Sequence, residues 1–361
     1  MSFGRNQTES RYKSNLERKM KKILVLLFIV FHAFNTNAQN VKSSQDSISV
    51  FYDTLFSVMK KEYLYKDKIQ WSELEPKIRK NLLQYQDFKS SLKEITQIFA
   101  FSKATHCTLF YGENEFSATY DGPSGKDFSE QWIKKYASNP TFEVKILDNQ
   151  YGYILMPSIN FEDISKENIH KVSQPLYDEI SKVENSKKTK GWIIDLRFNS
   201  GGNSMPMLLA LYDFLGDNVV YGTLDIDKKR INTTKLNKGD YLDNDTITSY
   251  IKIKPKKLTE TKVAIITGII TASSGEITAL AFKGRKNTFY VGEPTNGRTT
   301  TNDKRLLPFG AFMALTIGYD CDRNGVFYDK IVPDVLLSKQ DNFDNLLLDK
   351  NIQEAIKFIT K

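Results

Sequence analysis

Two short stretches, GWIIDLRFN (residues 191–199) and KVAIITGII (residues 262–270), constrain this chain more than anything else in it. Each is apolar at consecutive positions rather than alternate ones, so as a strand it has no face that water can wet. Each runs into a turn rich in serine and glycine and then into a helical pattern, MPMLLALYDFL or SSGEITALAF. Strands buried on both sides and alternating with helices require a layered α/β core with mostly parallel pairing.

The rest of the chain fits around that core. From Tyr151, YGYILMPSI reads as a strand, ENIHKVSQPLYDEISKV as an amphipathic helix and NTFYVGEPT as a strand with its loop. Upstream, Ile48, Phe51, Tyr52, Leu55, Phe56 and Met59 recur at helical spacing. Ser72–Glu75 and Ser91–Glu94 carry the capping-box pattern that opens helices. The expected organisation is an N-terminal helical domain over 39–110, a connecting segment over 111–150, an α/β core over 151–340 and a C-terminal helix over 341–361. Residues 221–260, rich in lysine, read as a surface insertion on the core.

Charge bounds the partners. The chain has 361 residues and a formal charge of +8, but residues 1–22 hold seven basic side chains against two acidic ones. The body is left near +3, which makes no electrostatic case for a nucleic acid. From Met20, a short basic end, an apolar run over Ile23–Phe34 and small or polar residues up to Ala38 have the layout of a secretory signal peptide, cleaved after Ala38. Residues 1–19 then read as an extension ahead of that start, and the mature protein is expected to be exported, with no stable membrane span after cleavage. Cys107 and Cys321 are the two cysteines, free to pair or to stay reduced. Three histidines and two cysteines supply a metal site poorly, and no metal or organic cofactor is expected.

The turn TASSGEITALAF admits two readings. Ser273 can cap the helix with Glu276 closing a capping box. Equally, a serine at a helix start lies where backbone N–H groups can stabilise an oxyanion. The second turn, NSGGN, brings bare backbone to the end of a parallel sheet, as a tight turn or as a ligand pocket.

Taken together and in order, IIDLRFNSGG, ITASSGEITALAF, FYVGEPTNGRTTTND and IVPDV resemble the serine peptidases that include carboxy-terminal processing (tail-specific) peptidases, the tricorn core and the retinoid-binding repeats. The resemblance covers about residues 45–340 and implies a crotonase/Clp-protease-like layered fold. It implies Ser273 as nucleophile and the N–H groups of Gly201, Gly202 and Ser274 as oxyanion donors. The lysine of the processing branch falls on Arg298, 25 residues beyond Ser273, and a guanidinium cannot serve as a base. The tricorn-like branch uses an upstream histidine beside a hydroxyl residue, which matches His106 with Thr105. His106 has the intrinsic pKa to accept a proton near neutrality. His170, in mid-helix, reads as a solvated polar position, and Cys107 as pointing away from His106. Asp322 is the first candidate to orient the imidazole, with Asp320 and Asp329 as alternatives.

The expected function is an exported, periplasmic or extracellular serine peptidase acting on peptides or unfolded proteins. The alternative is a non-catalytic protein on the same scaffold that binds an apolar ligand or a peptide. A crotonase-like acyl-CoA enzyme is a more distant option that export argues against.

Overall fold

The structure, a computed structural model, describes residues 44–119, 122–254 and 258–361. The expected signal segment lies outside these residues. Two sheets organise the molecule. The first is built as the apolar runs demand: β4 (Tyr151–Leu155), β5 (Gly191–Asp195), β10 (Val263–Thr267), β11 (Thr288–Gly292) and β14 (Val335–Leu336) pair in parallel, and β3 (Glu143–Leu147) joins β4 antiparallel. Every residue of β4, β5 and β10 is buried. Helices α6 (Lys166–Ser186), α7 (Ser204–Ala210) and the short α8 (Tyr212–Leu215) cover one face, and α10 (Lys350–Thr360) covers the other.

The second sheet is antiparallel. Its long strand β13 (Phe312–Asp322) pairs with β1 (Thr108–Tyr111) and β6 (Asn218–Leu224) along one edge and with β12 (Thr300–Leu306) along the other. Between β1 and β6, Leu64 N–H donates to Thr316 O at 2.9 Å and fills the gap. β2 (Asn114–Ser117) extends β1, while β7 (Arg230–Asn237), β8 (Asp240–Asp243) and β9 (Thr246–Tyr250) continue from β6. The lysine-rich segment expected as a surface insertion is thus an ordered meander. Within β7, β8 and β9 its buried side chains are Thr234, Leu236, Tyr241 and Ser249, set among polar residues.

The N-terminal helices are α1 (Ser44–Glu62), α2 (Trp71–Leu82), α3 (Phe88–Ser91) and α4 (Glu94–Phe101). All six apolar positions picked out on α1 are buried. The helices share one core with Leu109, Met313 and Leu315 of the second sheet, so the expected border at 110 falls inside β1. The connecting segment supplies β2, α5 (Glu130–Ala137) and β3. Neither expected capping box opens a helix. α2 starts after Gln70, and Ser91 closes a short helix whose cap is Asp87.

Candidate active site

β5 and β10 are parallel neighbours, so the turns that follow them meet at the carboxyl ends of the strands. They interlock. Ala272 N–H donates to Asn199 O at 3.0 Å, Thr271 Oγ1 to Leu196 O at 2.9 Å and Ser274 Oγ to Gly202 O at 2.6 Å. Gly201 has φ 123° and lies against the serine, for a Cβ built on it would sit 3.0 Å from Ser273 Cβ. Gly202 has φ 105°, and a Cβ there would run into Ile159 O at 2.2 Å. Gly201 is therefore required by close approach of the two turns, and Gly202 by the segment at Ile159 that follows β4.

Ser273 stands just ahead of α9 (Ser274–Leu280) with φ 52° and ψ −119°. A residue with a Cβ pays about 1–3 kcal/mol to hold such a conformation, and such strain gathers where a side chain must be presented at a sharp turn. Glu276 holds it in place. Its buried carboxylate accepts from Ser273 N–H at 3.0 Å, Thr295 Oγ1 at 2.5 Å, Gly297 N–H at 2.8 Å and Arg298 N–H at 2.7 Å. Burial pushes the Glu276 carboxyl up, against the pull of these four donors. Ser273 and Arg298 donate to the same oxygen, Oε2, so their amides lie side by side.

The segment 293–299 leaves β11 of the first sheet and enters β12 of the second, and Glu276 pins its middle. Beyond it, Thr300 Oγ1 meets His106 Nδ1 at 2.6 Å, and Asn302 Nδ2 donates to His106 O at 2.6 Å. His106 precedes β1, and β1 and β12 both pair with β13, which is how the sheet draws the two together. Burial lowers the His106 pKa from 6.5 to about 4, and the nearby Arg298 charge adds to the effect. The ring is therefore neutral across the ordinary pH range.

Several expected residues fall elsewhere or act otherwise. Thr105 is exposed, and the hydroxyl on the imidazole belongs to Thr300. Asp322 does not reach the ring: it closes its own turn, accepting from Asn324 N–H and Val326 N–H at 2.9 Å and from Tyr328 OH at 3.3 Å. Asp320 is buried and accepts from Thr301 Oγ1 at 2.5 Å, while Asp329 is exposed. Gly201 N–H is taken up by Asn199 Oδ1 at 3.1 Å and cannot serve as an oxyanion donor in this conformation. Gly202 N–H and Ser274 N–H have no protein acceptor among the described residues. Cys107 and Cys321 are both buried and free.

Two interlocked turns at the ends of parallel strands, one of them presenting a strained serine at a helix start, belong to a layered α/β core of the kind that serine-type peptidases use. More particularly, the chain belongs to peptidase family S41, whose sequence profile matches residues 150–337. It is 32% identical over 148 residues to the Nisin-resistance protein of Lactococcus lactis subsp. lactis, covering 40% of this chain and 45% of that protein. It is 26% identical over 184 residues to a carboxyl-terminal-processing protease of Picosynechococcus sp., covering 48% and 40% respectively. The matched stretch thus spans less than half the length of each of these relatives. In fold, it is similar to a lipoprotein from Streptococcus agalactiae, with a TM-score of 0.62 and 23% identity over 86% of this chain and 95% of that one. Among the described residues no helix is long and apolar enough to cross a membrane.

Proposed function

We propose that this protein is an exported serine peptidase in which Ser273 is the nucleophile and His106 the general base. Ser273 Oγ attacks the carbonyl carbon of a peptide bond while the imidazole takes its proton. The oxyanion accepts from Gly202 N–H and Ser274 N–H. His106 then returns the proton to the leaving amine, and water hydrolyses the acyl-enzyme by the same path in reverse. Thr300 replaces an acid as the group that orients the ring. With Nδ1–H donating to Thr300 Oγ1, Nε2 keeps the lone pair that catalysis needs.

The observation that carries this reading is a continuous bonded path. Ser273 and Arg298 share Glu276 Oε2, and Thr300, two residues after Arg298, holds His106. The likeness to a carboxyl-terminal-processing protease supports peptides or unfolded proteins as substrates. The leader over residues 20–38 supports export. A fluorophosphonate probe is expected to label the wild-type protein and not Ser273→Ala, with peptide hydrolysis falling at least about a thousandfold in the variant. An unlabelled but folded wild type would favour the alternative, a binding protein on the same scaffold.

A further inference from the structure

The strand segment that holds His106 is gripped on its other face by a buried acid, Asp320 of β13. Successive strand residues point to opposite faces. Thr300 therefore turns its hydroxyl to the imidazole, while Thr301 turns its own away, to donate to Asp320 Oδ1 at 2.5 Å. Asp320 N–H also donates to Thr299 O at 3.0 Å. Thr223 of β6 closes the group, with its Oγ1 2.9 Å from Thr301 Oγ1. Asp320 thus holds residues 299 and 301, and Thr300 lies between them.

The acid is fully buried, and its second oxygen, Oδ2, has no hydrogen-bond partner among the described residues. A carboxylate can accept from about four donors, and one that is buried with a single donor is expensive to charge. Glu276 clamps the other end of the same segment and is equally buried, but it has four donors. Its charge bears on Asp320. Of two acids in one dry space, the better-solvated one ionises and the other keeps its proton. Tyr221 of β6 and the neighbouring Cys321 also face Asp320, and burial pushes both upward, so they stay neutral. Burial is the largest cause of the rise of the Asp320 carboxyl from 3.8 to about 7; the Thr301 bond opposes it and the Glu276 charge adds to it.

We propose that Asp320 is a positioning residue for the reaction: it carries a proton in the active form, and losing that proton frees Thr300 from His106. The inference rests on the reading of Ser273 and His106 as the catalytic pair. Ionised Asp320 sets a second negative charge behind the segment that Glu276 clamps, with one hydroxyl to meet it. Water or a further donor must then enter, and the bonds to residues 299 and 301 pass that movement to Thr300. Thr300 Oγ1 is 2.6 Å from Nδ1, and a displacement of about 1 Å breaks the bond. The imidazole stays uncharged but loses its orientation. Reactivity therefore falls as pH rises through the Asp320 value, whereas the titration of His106 itself lowers it only in acid.

Two measurements on the full chain test this, one of reactivity and one of geometry. The rate at which a fluorophosphonate labels Ser273 should fall about tenfold between about pH 6 and 8 in the wild type, and less than about twofold in Asp320→Asn, which is neutral at every pH. A wild type that labels without an alkaline decline, or equal declines in both proteins, overturns the proposal. The ring-nitrogen NMR signals of His106, assigned by their loss in His106→Gln, should step near pH 7 in the wild type and not in Asp320→Asn. The ring's own titration lies near 4, so an acid that only supports the fold produces no step there, and its absence overturns the proposal. Should Asp320→Asn not fold, Thr301→Val decides. It removes the bond that favours the charge, so the step must move to higher pH, and a step left in place overturns the proposal. A wild type that shows the step yet labels at no pH would uphold the coupling of Asp320 to His106 and remove the peptidase reading instead.

Discussion

Two buried charges stand at the ends of neighbouring strands and are neutralised in opposite ways. Arg197, just past β5, is 3% exposed and meets full charges: Asp195 and Asp341 at 2.6 Å and Asp349 at 2.8 Å. Glu276, in the first turn of the helix that follows β10, meets only neutral donors, three backbone amides and a threonine hydroxyl. The first arrangement joins β5 to a partner 152 positions away at the start of α10, fixing the far end of the chain to the core. The second fixes no terminus; it sets two loops in register around the serine. Charge on charge ties down the scaffold here, and charge on dipoles shapes the turn that carries Ser273.

That division can be broken experimentally. Arg197→Met leaves three acids with no cation in a closed space and should cost about 3–5 kcal/mol of stability, read as a lower denaturation midpoint. Activity per folded molecule should hardly change, and a selective loss of kcat would erase the distinction. Glu276→Gln keeps the shape but turns an NH2 group toward donors. It should lower kcat/KM about a hundredfold while costing about 1–3 kcal/mol of stability, the range for stranded buried polar groups. Thr300→Val removes the hydroxyl on Nδ1 and should lower kcat about tenfold with KM nearly unchanged, whereas Thr105→Val and Asp322→Asn leave kcat alone.

The smallest expected effect concerns pH. Under the proposed mechanism His106 works when neutral, so kcat/KM should hold as pH falls below the ordinary histidine value of 6.5 and decline through about 4. Since burial is the larger cause and Arg298 the lesser, Arg298→Gln should move that decline upward by only part of the gap. The same shift has a stability consequence. The folded pKa lies below the unfolded one, so the unfolded chain binds more protons between these values. The contribution of His106 is fully present above 6.5 and is lost as pH falls toward 4.

The residues explain what could be read beforehand. The parallel sheet was legible because β5 and β10 are uninterrupted apolar runs. The Ser273 turn was legible because serine, glycine and Glu276 act within four positions of one another. Thr300 was hidden because its partner lies 194 positions away, and nothing local marks one threonine among the three in a row at 299–301. Asp322 misled for the converse reason: acids close turns more often than they orient rings, and this one does so with its own neighbours. The meander over β6–β9 was hidden by exposed lysines, since a sheet with one wet face needs few apolar positions.

The loop 293–299 links the turn that carries Ser273, through Glu276, to the strand that holds His106. Under the proposed mechanism, a chain still emerging from its synthesis carries an imidazole with no alcohol to serve, and later an alcohol in a turn not yet clamped. Chemistry begins only when β13 has closed the second sheet. Under that mechanism, the last long strand to be made is also the safety catch.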